Sequence, residues 1–290
     1  MEFYLQTPYK ASALNLKSGK MVGIRANHPV RLQAFDLLQE LKDENISRQA
    51  IVDQINHDFG IPATTIYFWY TGQFVPYGRK GKIVWRPELF YVLGALLGDG
   101  CIYRWKPTNN YVILVGDKKF TTKYSDMLEP CISKRDKPYI IRSKNVWFVK
   151  SNNFELFSFF KKAREDSTYL ENLFVRNDRR SRLLFIEGFF DAEGCVKIIK
   201  EKVRKTPKIC LDITNTNYGF LNLIKKLLKD ELGIEALFSI QEPREENRKI
   251  AYHLRIYKKE FVRKFFENIG TTKLYDEKAI HLQNWLALSA

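Results

Sequence analysis

Hydrophobic positions along this chain fall into two regimes. Before residue 72 they recur at three- and four-residue spacing in short blocks; beyond residue 87, helical blocks alternate with short β-rich runs. Leu32, Phe35, Leu38 and Leu41 predict a helix over 31–42. Ser47 is placed to cap a second helix, whose apolar face is Ile51, Val52, Ile55 and Phe59. Asp58-Phe59-Gly60-Ile61 supplies a turn in which Gly60 is free to take positive φ. Pro62 then opens a third helix through Ile66, Trp69 and Tyr70, ended by Gly72. Helix, short turn with glycine, helix predicts a helix-turn-helix, with Ala63, Thr64, Thr65 and Tyr67 facing a major groove. A small helical packing bundle is the alternative.

Gln73 to Lys82 holds two Gly, one Pro and three basic residues, and reads as a linker. After it the pattern repeats. LFYVLGALLGDGCI (89–102) and LFIEGFFDAEGCVK (184–197) align on an acid, Asp99 with Glu193, at an offset of 94 residues. Short β-rich runs follow each copy: 111–115 and 146–149, then 209–213 and 252–256. A helical segment closes each, 154–162 and 260–268, and the charged stretch 163–180 joins them. Each copy thus predicts helix, hairpin, helix, hairpin, helix. The expected domains are residues 1–82, 83–165 and 166–290, the last with a C-terminal helix.

Composition narrows the function. With 48 Lys and Arg against 33 Asp and Glu, the 290-residue chain carries a net +15. The excess is +4 over residues 1–86, +6 over 87–165 and +5 over 166–290. A basic excess spread this evenly fits a polyanion contacted along much of the chain, with nucleic acid the leading partner. No apolar run reaches the ~18 residues of a membrane span, and the N-terminus lacks a signal-peptide pattern. Four scattered cysteines without a CxxC pair, and four histidines outside any metal motif, argue against a disulfide framework and a zinc site. The expected location is the cytoplasm, nucleoid or an organellar matrix, without a membrane partner.

The repeated helices carry the candidate chemistry. Pro87 starts the first, and Ser181 is positioned to cap the second. The first is apolar all round from Leu89 to Leu97, as a buried helix is. Gly94 and Gly98 lie four apart on one face, and Gly188 and Ala192 repeat that spacing. Small residues so spaced let two helix backbones approach closely. Packed through these faces, the helices would end side by side, with Asp99 and Glu193 nearly together. Two carboxylates so close repel, and favour a divalent cation or protons. The carbonyls of Gly98 and Ala192 would add oxygen ligands and negative dipole ends. Oxygen-only ligation with few protein groups suits Mg²⁺, with Mn²⁺ expected to substitute, and metal-assisted phosphodiester hydrolysis.

VLGALLGDG (92–100) and IEGFFDAEG (186–194) resemble the paired LAGLIDADG motifs of homing endonucleases. The resemblance covers residues 87 to about 275, and two motifs in one chain correspond to the monomeric, pseudo-dimeric branch. It implies an α+β fold of two αββαββα halves, here preceded by the small all-α helix-turn-helix domain. It also implies a saddle of strands over double-stranded DNA and Mg²⁺-dependent cleavage of both strands across the minor groove. Asp99 and Glu193 carry over as the metal-binding catalytic acids. Asp191 keeps the motif's earlier acid, which Leu97 replaces in the first copy. The family's basic residue on the last strand of each half maps to Lys150 and Arg255, with Lys258 the alternative to Arg255 in a slipped register. Arginine does not readily deprotonate, so Arg255 would stabilise phosphate charge without shuttling protons. Asn215 matches a solvent-orienting polar position whose counterpart is Gly116.

Saddle side chains expected to reach DNA are Arg104, Lys106, Lys118, Arg142, Lys144, Lys197, Lys208 and Arg248. Cys101 and Cys195 follow the motif glycines as small apolar fillers. The expected activity is site-specific endonucleolytic cleavage by a monomer. Two alternatives keep the scaffold: a non-cleaving transcription regulator, and a maturase whose partner is intron RNA.

Overall fold

The computed structural model describes residues 28–44, 46–73, 75–76, 81–105, 109–133, 136–199, 208–243, 249–274 and 276–287. Among the described residues the chain divides into two compact units, one up to Tyr67 and the other from Phe68. In the first, α1 (His28–Asp43) packs on α2 (Arg48–Phe59), with Leu38, Ile51 and Ile55 fully buried. The Ser47 hydroxyl caps α2 by accepting from the Ala50 N–H at 3.3 Å. Gly60, at φ 63°, ends the helix and donates its N–H to the Asn56 carbonyl at 2.9 Å. Asn56 Nδ2 donates to the Ile61 carbonyl at 2.7 Å, and α3 (Ala63–Tyr70) follows directly after Pro62.

The second unit contains both repeats. The first runs α4 (Pro87–Asp99), β1 (Gly100–Trp105), β2 (Asn109–Gly116), α5 (Lys118–Leu128), β3 (Tyr139–Ser143), β4 (Val146–Ser151) and α6 (Phe154–Glu165). After α7 (Ser167–Val175) the second runs α8 (Arg179–Glu193), β5 (Gly194–Ile199), β6 (Lys208–Asn215), α9 (Tyr218–Leu232), β7 (Leu237–Gln241), β8 (Ala251–Ile256) and α10 (Lys259–Asn268), followed by α11 (Asp276–Ala287). The described residues form two antiparallel four-stranded sheets of matching order, β1-β2-β4-β3 and β5-β6-β8-β7. One continuous apolar core joins the two halves through α4 and α8. No helix among the described residues is long and apolar enough to cross a membrane.

Two local expectations change. Asp178, not Ser181, caps α8: its carboxylate accepts the Ser181 N–H at 2.8 Å, and Ser181 is buried in the first turn. Asp178 occupies the cap position, where its charge also meets the positive end of the helix dipole, whereas Ser181 is already the third helical residue. The charged stretch 163–180 is more than a connector, because α7 within it buries Leu170, Leu173 and Phe174. Arg164, Glu165, Asp166, Glu171 and Arg176 surround that apolar face and mask it in the sequence.

The segment after the expected linker is docked on the second unit. The Ile83 N–H donates to Glu155 at 3.0 Å, and Ile83 bridges Ile132. Of that linker, residues 74 and 77–80 lie outside the described residues.

Candidate functional site

The contact between α4 and α8 is set by the small residues. A β-carbon built on Gly94 would stand 2.8 Å from the Phe189 nitrogen, and one on Gly188 would meet the Tyr91 carbonyl and stand 3.0 Å from the Ala95 nitrogen. One on Gly98 would stand 2.5 Å from the Ala192 β-carbon and 2.9 Å from Glu193 Cγ. These neighbours advance together along both helices, so α4 and α8 run side by side in the same direction. Their last residues, Asp99 and Glu193, therefore close adjacent helix ends.

The two acids differ in surroundings. Glu193 is half-buried, and burial followed by the charge of Asp99 pushes its carboxyl up to about 7. Asn215 Nδ2 donates to Glu193 Oε1 at 2.7 Å and opposes that rise. The orientation of this amide is fixed from behind, because Asn215 Oδ1 accepts the Asn217 N–H at 2.7 Å. Asp99 reaches solvent, yet partial desolvation raises its carboxyl, with Lys273 acting the other way. A polar cleft of about 770 Å³ opens beside Glu193, lined by Gly98, Arg164, Thr214, Asn215, Lys249 and Tyr252 among others.

The donor set fits a hard divalent cation. The two acids and the flanking carbonyls offer only oxygen, and the repulsion expected between adjacent carboxylates is what such a cation relieves. No cluster of three His, Cys, Asp or Glu occurs among the described residues. A cation held here would complete its shell with water and phosphate oxygens, as Mg²⁺ commonly does.

Residues 181–270 match the family model of a LAGLIDADG-like domain. The chain is 26% identical over 255 residues to the uncharacterized protein MJ0398 of Methanocaldococcus jannaschii, spanning 81% of this chain and 86% of that protein. A structure of mesophilic variants of the homing endonuclease I-DmoI aligns with a TM-score of 0.47 at 20% identity, over 63% of this chain and 94% of that one. Other I-DmoI structures hold that protein in complex with DNA and Ca, or DNA and Mn. The N-terminal LAGLIDADG domain of DUF199/WhiA aligns with a TM-score of 0.45 at 17% identity, over 69% of this chain and 89% of that one.

Strand register places the other candidates. Ile113 pairs with both Cys101 and Lys150, and Asp212 pairs with both Cys195 and Arg255. Lys150 and Arg255 are thus equivalent positions on the open faces of the two sheets. Lys258 lies beyond β8 as the residue before α10, its ammonium 5.0 Å from the Phe261 ring centroid. Lys150 sits 3.8 Å from the Tyr111 ring centroid. Arg255 is held instead by Asp212, with Nε at 3.4 Å, and Asp212 also accepts from Lys197 and lies 3.1 Å from His253 Nδ1. Gly116 pairs with Trp147 as Asn215 pairs with Tyr252. The Phe120 ring fills the space beside Gly116, 2.6 Å from where a β-carbon would stand, so the Asp99 half has no amide at that position.

Asp191, the motif's earlier acid, is fully buried and away from solvent. It accepts from the Tyr91 hydroxyl at 2.7 Å, Lys123 Nζ at 2.9 Å, and the Thr271 hydroxyl and Thr272 N–H at 2.7 Å each. This carboxylate joins both halves and leaves none of its oxygen capacity facing the cleft.

The basic candidates are dispersed. Lys197 and Lys208 lie on β5 and β6, and Lys144 occupies the β3–β4 turn at φ 54°. Arg142 and Lys118 each stand 5.7 Å from the Trp147 ring centroid. Arg142 departs from the expected open-face position: strand alternation sets it with Trp147 and buried Val149 on the helix-covered side. Arg104 lies in β1, and its side chain, like Lys106 and Arg248, lies outside the described residues. In α3, Ala63 and Thr64 are exposed, Thr65 is half-buried, and Tyr67 is exposed with the Arg48 guanidinium 5.1 Å from its ring centroid.

Two residues at the site escaped sequence reasoning. Lys273 Nζ donates to the Ala192 carbonyl at 3.3 Å, and Arg164 lines the Glu193 cleft from the end of α6. Neither belongs to a motif, and only the three-dimensional fold brings them to the acids.

Proposed function

We propose that the chain is a divalent-metal-dependent endonuclease that cuts both strands of a specific double-stranded DNA site, acting as a monomer. The observation that carries this reading is the acid pair itself: Asp99 and Glu193 close two tightly packed parallel helices, and burial together with the Asp99 charge raises the Glu193 carboxyl. Asp99 and Glu193, with the carbonyls of Gly98 and Ala192, would hold Mg²⁺ or Mn²⁺. The cation supplies charge stabilisation at the phosphate being hydrolysed. Asn215 fixes the Glu193 carboxylate. Lys150 and Arg255 stabilise phosphate charge from their equivalent strands. Lys144, Lys197 and Lys208 add phosphate contacts that position the duplex. The test is incubation of the purified chain with a randomised duplex library and Mg²⁺, followed by sequencing of the ends. Ends sharing one sequence, absent with EDTA, are expected.

The second reading is a DNA-binding regulator that does not cut. The Ser47-capped α2, the Gly60 turn and the exposed start of α3 suit a helix-turn-helix, which such a regulator would use as readily as an endonuclease. Duplex binding without Mg²⁺-dependent ends would select this reading. In both, residues 63–67 are proposed to contact DNA. Deleting residues 1–82 is therefore expected to leave a folded core that binds the duplex about tenfold or more weakly, as read by gel shift at fixed salt. Unchanged binding would remove these residues from the interface.

The two strands are expected to be cut at different rates. Asp99 works beside Lys150 and Gly116, whereas Glu193 works beside Asn215 and an Arg255 restrained by Asp212. A tenfold difference requires only about 1.4 kcal/mol, within reach of one altered basic group. A nicked plasmid intermediate should accumulate, and Arg255→Lys should change the rate on one strand. Strand-specific end labelling checks this; equal rates, altered equally by Arg255→Lys, would refute it.

A further inference from the structure

After α10 the chain returns to the end of α8 through residues 270–274, and this strap is tied on both sides of Lys273. Glu187 Oε2 accepts the Gly270 N–H at 3.2 Å, and Asp191 Oδ1 accepts the Thr271 hydroxyl and the Thr272 N–H at 2.7 Å. Beyond Lys273, the Leu274 carbonyl accepts from Lys119 Nζ at 3.4 Å. The buried carboxylate that orders the strap is itself held by Tyr91 and Lys123. Burial and the Asp191 charge raise the Tyr91 hydroxyl far above its ordinary range, so it remains a donor.

The strap delivers the Lys273 ammonium to the Ala192 carbonyl, the oxygen immediately before Glu193. Its charge acts on both carboxyls, opposing at Asp99 and Glu193 the upward push of burial. The Phe120 ring, 5.8 Å from Nζ, stands on the Asp99 side, where the other half has Asn215. A lysine so placed does two things to an incoming cation. It engages a carbonyl oxygen that would otherwise be a ligand, and its positive charge partly satisfies the carboxylates that would attract the metal.

We propose that Lys273 is the resident counter-cation of the Asp99–Glu193 pair and competes with the divalent metal for it. This inference rests on the reading of that pair as a metal site. It makes metal affinity in the DNA-free protein a property of the strap as well as of the two motifs. An arginine keeps the charge, whereas methionine and glutamine remove it.

The test is Mn²⁺ affinity of the full chain without DNA, read from the free-Mn²⁺ signal in electron paramagnetic resonance at low salt. The forms compared are the parent, Lys273→Met, Lys273→Gln and Lys273→Arg, with an Asp99→Asn, Glu193→Gln double variant as the blank. Lys273→Met and Lys273→Gln are expected to bind Mn²⁺ about tenfold or more tightly than the parent. Lys273→Arg should stay within about twofold of it. Glutamine can still donate to the Ala192 carbonyl, so it separates charge from hydrogen bonding if methionine disturbs the fold. Equal acid-dependent affinities in the parent and both neutral variants would overturn the competition alone. No acid-dependent Mn²⁺ binding in any form would overturn both the competition and the metal-site reading beneath it.

Discussion

Asp99→Asn and Glu193→Gln are each expected to lower double-strand cleavage by about a thousandfold or more, a change of ~4 kcal/mol in the barrier, while leaving duplex affinity nearly intact. Both acids close the α4–α8 pair, so each supplies part of one shared charge. Removing either leaves a single carboxylate beside the Lys273 ammonium, an arrangement with little remaining attraction for a second cation. On the proposed function, duplex affinity would come from elsewhere, from basic residues distributed over two sheets, and would lose nothing when an acid is neutralised. Plasmid cleavage and gel shift on the same preparations separate the two quantities. Full-rate cleavage by either variant would remove that acid from the site.

Gly188→Val is expected to destabilise the second unit by about 3 kcal/mol or more, because overpacking here meets backbone on the facing helix. The added β-carbon meets the Tyr91 carbonyl and stands 3.0 Å from the Ala95 nitrogen, neither of which can rotate away. The interface lies in the middle of the continuous core, so moving α8 away from α4 would open contacts along its whole length. For a unit of this size, the loss corresponds to a fall in Tm of roughly 10 °C. Gly219→Ala, on an exposed position near the start of α9 where the nearest contact is Asn217 Oδ1 at 3.2 Å, should change Tm little and serves as the control. Thermal melts followed by circular dichroism decide the comparison. An unchanged Tm for Gly188→Val would mean that the close helix approach contributes nothing to stability.

Local and repeated features of this fold were legible in the sequence. The small-residue spacing of Gly94, Gly98, Gly188 and Ala192 anticipates the helix contact, and the doubled acid anticipates two carboxylates at adjacent helix ends. The Ser47 cap and the Gly60 turn follow from side-chain and backbone chemistry within a few residues. Features that depend on distant residues were not legible. Asp191 looked like a motif acid, but partners from α4, α5 and the 270s strap consume it. Arg255 looked available to phosphate, yet Asp212, paired opposite it on the neighbouring strand β6, restrains it. Lys273 lies some eighty residues from the carbonyl it meets, in a segment with no periodicity to mark it. Asp178 had a stronger claim to the α8 cap than Ser181, but both residues obey the same rule and only geometry separates them.

The metal proposed between the two helix ends can be sought without knowing the DNA target. Fe²⁺ bound in place of Mg²⁺, supplied with ascorbate and peroxide, generates hydroxyl radicals that cut the polypeptide close to the ion. Mass spectrometry of the fragments should place the main cuts around residues 97–101 and 191–195 together, and the Asp99→Asn, Glu193→Gln double variant should lose both. Cuts around only one helix end, or cuts that persist in the double variant, would contradict a single site built from Asp99 and Glu193.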